Sequence, residues 1–131
     1  MSRRSIVALT LLVVIGLACG DDTIAPPVPG TVRVVLTAPN TGDGAILFLV
    51  SGSETPSAAT VPGGSGLRVF GPPTLGTTTR FIVTGPLAAG TILNLDVPDV
   101  NGTYTATVLE VAQPGTFALR ALSGYSLSVT P

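Results

Sequence analysis

The sequence predicts an all-β protein, an antiparallel β-sandwich of about 7–9 strands that occupies residues 31–131. Glycine (16 residues) and proline (12 residues) are abundant, which disfavours helices and favours short strands joined by tight turns. Segments of β-branched and apolar residues recur between these turns, and no segment shows a helical period. Hydrophobic residues make up 45% of the chain, so a packed core is possible.

The individual strands are predicted from composition, alternation and flanking turn residues. Residues 45–50 (AILFLV) are a short, continuous apolar run between glycines, which is typical of a central strand. Residues 91–97 alternate, with Leu93, Leu95 and Val97 on one face. Residues 51–66 are expected to form a polar loop. The predicted strands are residues 31–37, 45–50, 67–70, 79–84 (ended by Gly85-Pro86), 91–97, 103–112 (the longest), 117–122 and 125–130.

One corner of this predicted sandwich resembles the corner between strands E and F of immunoglobulin-like domains. The residues that carry the resemblance are Leu93, Leu95, Asp99, Gly102 and Tyr104. In those domains a tyrosine early in strand F donates a hydrogen bond back to the corner. Relative to the motif of those domains, the acid is displaced by one position and the leucine pair lies two residues too close. The cysteine pair and the tryptophan of strand C are missing. Residues 90–129 also resemble cohesin and related bacterial sandwich modules, so the resemblance implies architecture but no function.

The N-terminal segment has the three parts of a secretory signal. Arg3 and Arg4 precede an uncharged, largely apolar run of 13 residues, 6–18, which ends in small residues. A mature transmembrane helix needs about 20 apolar residues, so this run is too short to be one. We therefore expect residues 1–18 to be a signal peptide that directs export.

The end of this signal is more specific. Leu17-Ala18-Cys19, preceded by Gly16, resembles the lipobox of bacterial lipoproteins, and Cys19 is the only cysteine. The resemblance implies that a signal peptidase recognises Leu17, Ala18 and Cys19, that it cuts before Cys19, and that Cys19 then carries three acyl chains. Two or more chains hold a protein stably on a membrane. Because Gly20 rather than aspartate follows, the resemblance implies the outer membrane in a Gram-negative cell. An ordinary signal cut after Gly20 and an uncleaved anchor are the alternatives.

A linker separates this anchor from the folded part. Residues 20–30 (GDDTIAPPVPG) contain two acids and three prolines but little that a core could bury. Such a composition predicts a semi-rigid tether that reaches up to roughly 30 Å. The predicted organisation is a lipoprotein signal peptide at residues 1–18, the lipidated cysteine and tether at 19–30, and the sandwich at 31–131.

The residue types argue against several classes of function. The chain has no histidine, and its six basic residues are all arginine, so no side chain of the usual kind could activate a serine nucleophile. Zinc, copper and haem are usually bound by histidine or free cysteine, which the chain lacks apart from Cys19, so we expect no cofactor. Without residues 1–18, four arginines face seven acids, which gives no drive to bind nucleic acid. We expect the protein not to be an enzyme.

The acidic residues offer a few candidate sites. Asp96, Asp99 and Asn101 could supply oxygen ligands to calcium, although the alternative is that the two acids are solvated in a turn. Glu110 lies in an apolar strand, in phase with Tyr104, Ala106 and Val108. Either that face is partly exposed, or an arginine pairs with Glu110, for which Arg120 is the candidate.

These observations lead to two functional hypotheses. The first is a membrane-anchored, non-enzymatic interaction or structural module of the cell envelope, with an envelope protein or glycan as its partner. Its contacts would come from the loops at one end, chiefly residues 51–66 and 71–78. The second is a module that binds a small ligand, either calcium or a carbohydrate, and Phe70 is the aromatic residue most expected to be exposed.

Overall fold

The computed structural model describes residues 25–131, so the proposed signal peptide and Cys19 lie outside the described residues. Within this range the chain is all-β, and none of its segments is a helix long and apolar enough to span a membrane. The strands are β1 (Gly30–Thr37), β2 (Asp43–Gly52), β3 (Ala58–Thr60), β4 (Arg68–Phe70), β5 (Thr78–Leu87), β6 (Gly90–Val97), β7 (Tyr104–Ala112) and β8 (Ser126–Thr130).

The strands form two antiparallel sheets of four, as the predicted sandwich requires. The first sheet has the order β3-β6-β1-β8 and the second has the order β4-β5-β2-β7. Only the β4–β5 connection stays within one sheet, and every other connection crosses between the two. In the constant-type immunoglobulin fold the last two strands share a sheet. Here β8 pairs with β1 instead, so the architecture is similar but the strand pairing differs.

The core lies between the sheets and takes alternate residues from each. In β1 the buried residues are Val32, Val34 and Leu36, and from the facing sheet Phe48 and Phe81 are almost fully buried. These two phenylalanines are cross-strand partners, with ring centroids 5.9 Å apart. Burial of each such side chain contributes about 1.5–3 kcal/mol, so this layer is the main source of stability.

Several of the strand predictions are wrong. Residues 117–122 form no strand, and their one ladder contact is an isolated bridge between Ala112 and Leu119. Residues 51–66 are not all loop, because β3 lies within them. The strand predicted to end before Gly85-Pro86 continues to Leu87. Proline has no N–H to donate to a strand ladder, but a register shift between Asp43 and Ala45 leaves Pro86 unpaired, so the ladder can resume at Leu87. Consequently β2 and β5, with 10 residues each, are longer than β7 with 9.

A β-bulge in β7 changes which way Glu110 faces. Leu47 pairs with Glu110 whereas Phe48 pairs with Val108, so Leu109 is an extra residue. The alternation therefore shifts by one: Val111 is buried and Glu110 is exposed. The expectation that Glu110 stays in phase with Val108 is wrong, but Glu110 does face solvent.

Candidate functional site

The outward faces of the two sheets differ sharply in chemistry. The first sheet presents mainly hydroxyl, amide and charged side chains, whereas the second presents a contiguous apolar group among threonine, serine and charged side chains. We call the second surface the outer apolar face and define it by Ala45, Leu47, Leu49, Phe70, Ile82 and Leu119.

The centre of the outer apolar face is a row of register partners. Phe70 on β4 pairs with Ile82 on β5, which pairs with Leu47 on β2. Phe70 is 54% exposed and Ile82 is 42% exposed. Leu119, which is 65% exposed, borders a shallow cavity of about 160 Å³ in this face. Apolar groups are therefore contiguous here, which on a soluble domain is typical of a binding surface.

Opposite charges lie on opposite sides of this face. Arg68 and Arg80 point outward from β4 and β5, and Glu110 points outward from the far edge strand, β7. The only salt bridge between residues 25 and 131 joins Arg120 to Asp43, so none of these three charged groups is paired within the described fold. Arg68 and Glu110 therefore lie at opposite margins of the face, on the edge strands β4 and β7, whereas Arg80 lies within it beside Leu49.

Asp43 anchors a polar cluster at the end of the sandwich opposite the tether. Its side chain is buried, with 2% exposure for the residue, and both carboxylate oxygens have partners. Arg120 Nε donates to Oδ1 at 2.7 Å, and the Tyr125 hydroxyl donates to Oδ2. Asn40 Nδ2 donates to that hydroxyl at 2.9 Å. Arg120 was the candidate partner of Glu110, but it pairs with Asp43, so of the two alternatives for Glu110 the exposed position is the one found.

The environment of Tyr125 favours its protonated form. Burial raises the pKa of the Tyr125 phenol, and the hydrogen bond to the Asp43 carboxylate raises it further. The hydrogen bond from Asn40 and the charge of Arg120 act in the opposite direction but are smaller. The phenol is thus held as a hydrogen-bond donor, which makes this cluster a structural fastening between the β1–β2 turn and the β7–β8 loop.

The predicted tyrosine hydrogen bond is confirmed at the β6–β7 corner. The Tyr104 hydroxyl donates to the main-chain carbonyl of Asp99 at 2.7 Å. The tyrosine ring lies over its cross-strand partner Gly52, where a Cβ atom would collide with it. Burial raises the pKa of Tyr104, and the charges of Glu54 and Asp99 contribute. This bond positions the crossover between the two sheets.

The three candidate calcium ligands lie at this same corner, but the carboxylates of the two acids among them have protein partners. Asp99 Oδ1 accepts hydrogen bonds from the main-chain amides of Asn101 at 3.0 Å and Val28 at 3.3 Å. Asp96 is exposed, and its Oδ1 accepts a hydrogen bond from the Thr31 hydroxyl at 2.9 Å. Over residues 25–131 no three acidic, histidine or cysteine side chains gather as metal ligands. What these carboxylates do in the described fold is fasten the segment that leads into β1.

The loops divide between the two ends of the sandwich. Residues 53–57, 71–77 and 98–103 lie at the end where the tether enters, because Gly52 N–H donates to the carbonyl of Thr77 and Ser53 N–H to that of Thr103. Residues 61–67 lie at the other end, since the glycine at their close approaches Pro86. The loops at 51–66 and 71–78 were expected at one end: residues 53–57 and 71–77 do lie together there, and the expectation is wrong only for residues 61–66.

Apart from the exposure of Phe70, the outer apolar face was not predicted from the sequence. Leu47 and Leu49 belong to the run AILFLV, which was predicted only to be a central strand. The non-alternating apolar composition of residues 45–50, together with Ile82 on the next strand, was the available signal. When both faces of a strand are apolar, either other elements pack against both faces, or one apolar face is exposed to solvent.

Comparisons with known proteins give no further identification. No protein-family model, curated protein or solved structure that was compared with the chain matches it.

Proposed function

We propose that this protein is a cell-envelope lipoprotein, held on a membrane by lipid on Cys19, whose sandwich is a non-enzymatic interaction module. The observation that carries the proposal is the contrast between the outward faces of the two sheets. One is polar, and the other presents contiguous apolar side chains around Leu47 and Ile82. Exposed apolar surface is unfavourable by about 25 cal/mol per Å², so a partner that covers it gains binding energy.

The position of the tether supports this use of the face. The chain enters the domain through Val28 and then β1, which lies in the first sheet. The outer apolar face belongs to the second sheet, on the opposite side of the core. An anchor at Cys19 would therefore leave the apolar face free to meet a partner in the plane of the membrane.

The residue chemistry supports binding rather than catalysis. Acid–base catalysis needs a group free to exchange protons with substrate. The one buried acid among residues 25–131, Asp43, has both oxygens engaged by Arg120 and Tyr125. The outer apolar face carries no nucleophile beside a base, and the sequence has no histidine to supply one.

Protection of an introduced cysteine tests whether the face is covered in the cell. Leu47→Cys places a thiol on the outer apolar face, and Ser128→Cys places one on the polar face of the same chain. Both full-length variants are labelled with a maleimide in intact envelopes and again after extraction and dilution. We expect slow labelling of Leu47→Cys in the envelope and fast labelling after dilution, with Ser128→Cys fast in both. Equal rates at the two positions would contradict docking through this face.

The second candidate function is binding of a small ligand. The exposed Asp96 carboxylate lies close in sequence to Asp99 and Asn101, which favours calcium, while the exposed ring of Phe70 favours a sugar. A ligand that binds only the folded state raises the melting temperature by mass action. If millimolar calcium leaves the melting temperature unchanged, the ion-binding hypothesis is contradicted. If candidate envelope glycans leave it unchanged, the sugar-binding hypothesis is contradicted.

A further inference from the structure

We propose that Asn101 is a site of spontaneous deamidation, and that the product loosens the corner that fastens the segment leading into β1. The inference is independent of the proposed docking role of the outer apolar face. It rests on the exposure of Asn101, on the glycine that follows it and on the hydrogen bonds around both residues.

The reaction needs only this chain and water. The main-chain nitrogen of Gly102 gives up its proton to hydroxide and forms a bond to Cγ of Asn101. The Cγ–Nδ2 bond breaks, and the departing nitrogen takes a proton from water and leaves as ammonia. Water then opens the cyclic imide at either carbonyl, which leaves an aspartate or an isoaspartate at position 101. A side chain on the following residue hinders the attack, whereas glycine permits close approach of the backbone.

The structure leaves the side chain of Asn101 accessible to this attack. Asn101 is exposed and lies in the turn between β6 and β7. No hydrogen bond within residues 25–131 involves its side chain, and its main-chain amide donates to Asp99 Oδ1 at 3.0 Å. The Gly102 amide donates to the Asp99 carbonyl at 3.2 Å, the long end of the range for such bonds. The side-chain amide can therefore turn toward Gly102 without losing a partner in the described fold.

The comparable positions elsewhere in the chain are protected. Asn40 Nδ2 donates to a tyrosine hydroxyl at 2.9 Å, and threonine follows it. Asn94 lies within β6, which pairs with a strand on each side, and leucine follows it. Asp43 does precede a glycine, but both of its carboxylate oxygens accept hydrogen bonds in a buried cluster. The fold therefore singles out position 101.

The product does not fit the corner. Gly102 is closely surrounded, because a Cβ atom there would lie 2.7 Å from Ser53 Oγ and 3.0 Å from the Tyr104 hydroxyl. An isoaspartate adds one atom to the main chain before Gly102, which displaces the Gly102 amide from the Asp99 carbonyl. Either product also places a second carboxylate in the turn beside that of Asp99, and the two like charges repel.

The same corner holds the segment that leads into β1. Asp99 Oδ1 accepts a hydrogen bond from the Val28 amide at 3.3 Å, and the Val100 amide donates to the Val28 carbonyl at 2.8 Å. Gly30 also packs closely against Val100. A displaced turn weakens these contacts, so deamidation would release the residues before β1 from the sandwich as the protein ages.

Peptide mass mapping of aged protein tests the site. Full-length protein is incubated in mildly alkaline buffer, one sample folded and one in denaturant. In the folded sample we expect conversion of Asn101 to an acid roughly tenfold faster than that of Asn40 or Asn94, because only position 101 precedes glycine. Conversion at position 101 in denaturant only would overturn the proposal, because the folded corner would then block the attack. Equal rates at the three asparagines in the folded sample would overturn it as well.

Hydrogen exchange of the same samples tests the consequence. In aged protein we expect faster exchange in peptides that contain Val100, whose amide donates to Val28, and unchanged exchange in β2 and β5. Asn101→Gln is the matched control, because the longer side chain keeps the amide but cyclises far more slowly. This variant should retain the exchange of fresh protein after the same incubation. Unchanged exchange in aged wild-type protein would contradict the loosening, and faster exchange in aged Asn101→Gln would assign it to another residue.

Discussion

Arg120 and Asp43, which are 77 positions apart in sequence, form an ion pair of 2.7 Å at the end of the sandwich opposite the tether. The carboxylate is almost fully buried, whereas the arginine side chain is 28% exposed. The Tyr125 hydroxyl donates a hydrogen bond to the second carboxylate oxygen of Asp43, and the Asn40 side-chain amide donates to that hydroxyl. The long β7–β8 loop, which has no regular strand, is therefore held to the start of β2 by side chains.

Removal of this ion pair should destabilise the fold. Arg120→Ala leaves a buried carboxylate without its charge partner, which costs several kcal/mol when a pair is fully buried. Because Arg120 is partly exposed, we expect a smaller loss of about 2 kcal/mol in the free energy of unfolding, measured by denaturant titration. Arg33→Ala, on the polar outer face, is the control and should change stability by less than about 0.5 kcal/mol. Equal effects of the two substitutions would contradict a structural role for the pair.

The two tyrosines should differ in what their hydroxyls contribute. Tyr125→Phe leaves one oxygen of buried Asp43 without a donor, so we expect a loss of about 1.5–3 kcal/mol. Tyr104→Phe removes a donor from the Asp99 carbonyl, which still accepts from the Gly102 amide, so about 1 kcal/mol should be lost. Denaturant titration of the two variants provides the comparison. A larger loss for Tyr104→Phe would reverse this ranking.

Alkaline pH should unfold the protein through these same tyrosines. Both have a pKa raised in the folded state above the ordinary value of 10.0. The unfolded chain therefore releases its phenol protons first, so stability is fully present below about pH 10 and falls as pH rises further. Melting temperatures measured from pH 7 to about pH 11.5 should show this fall. The Tyr104→Phe/Tyr125→Phe double variant should not show this fall in melting temperature. If the fall persists in that variant, groups other than these two tyrosines cause it.

A glycine under Tyr104 should be intolerant of a side chain. A Cβ at position 52 would collide with the tyrosine ring, so Gly52→Ala should cost about 1–3 kcal/mol and weaken the corner hydrogen bond. Gly63 has open space around it, so Gly63→Ala should be neutral or slightly stabilising. Thermal unfolding of both variants measures the difference. Similar melting temperatures would mean that the ring can move aside at little cost.

The sandwich could be predicted because its determinants are local. Residues 93–97 alternate, and their buried and exposed positions follow that alternation in the structure, whereas Ile92, at a register shift, is buried as well. The hydrogen bond of Tyr104 to the corner was predictable from a short motif. In contrast, β3 has only three residues and exists because it pairs with β6, which no local pattern indicates.

The candidate binding face could not be predicted because it depends on tertiary register. The bulge at Leu109 turns Glu110 outward, and a one-residue slip of this kind leaves no distinct mark in the sequence. Likewise the burial of Asp43 could not be predicted, because its partners Arg120 and Tyr125 are about 80 positions away in the sequence. The exposed faces of Leu47 and Ile82 became evident only once the strand order was known.

The mass of the N-terminal peptide from the purified membrane protein tests the proposed anchor most directly. The lipoprotein assignment predicts a peptide that begins at Cys19 and carries the mass of a diacylglycerol group with a further acyl chain. It also predicts that Cys19→Ala abolishes that mass and releases the sandwich from the membrane fraction. An unmodified Cys19, or a mature chain that begins at another residue, would contradict the lipoprotein assignment.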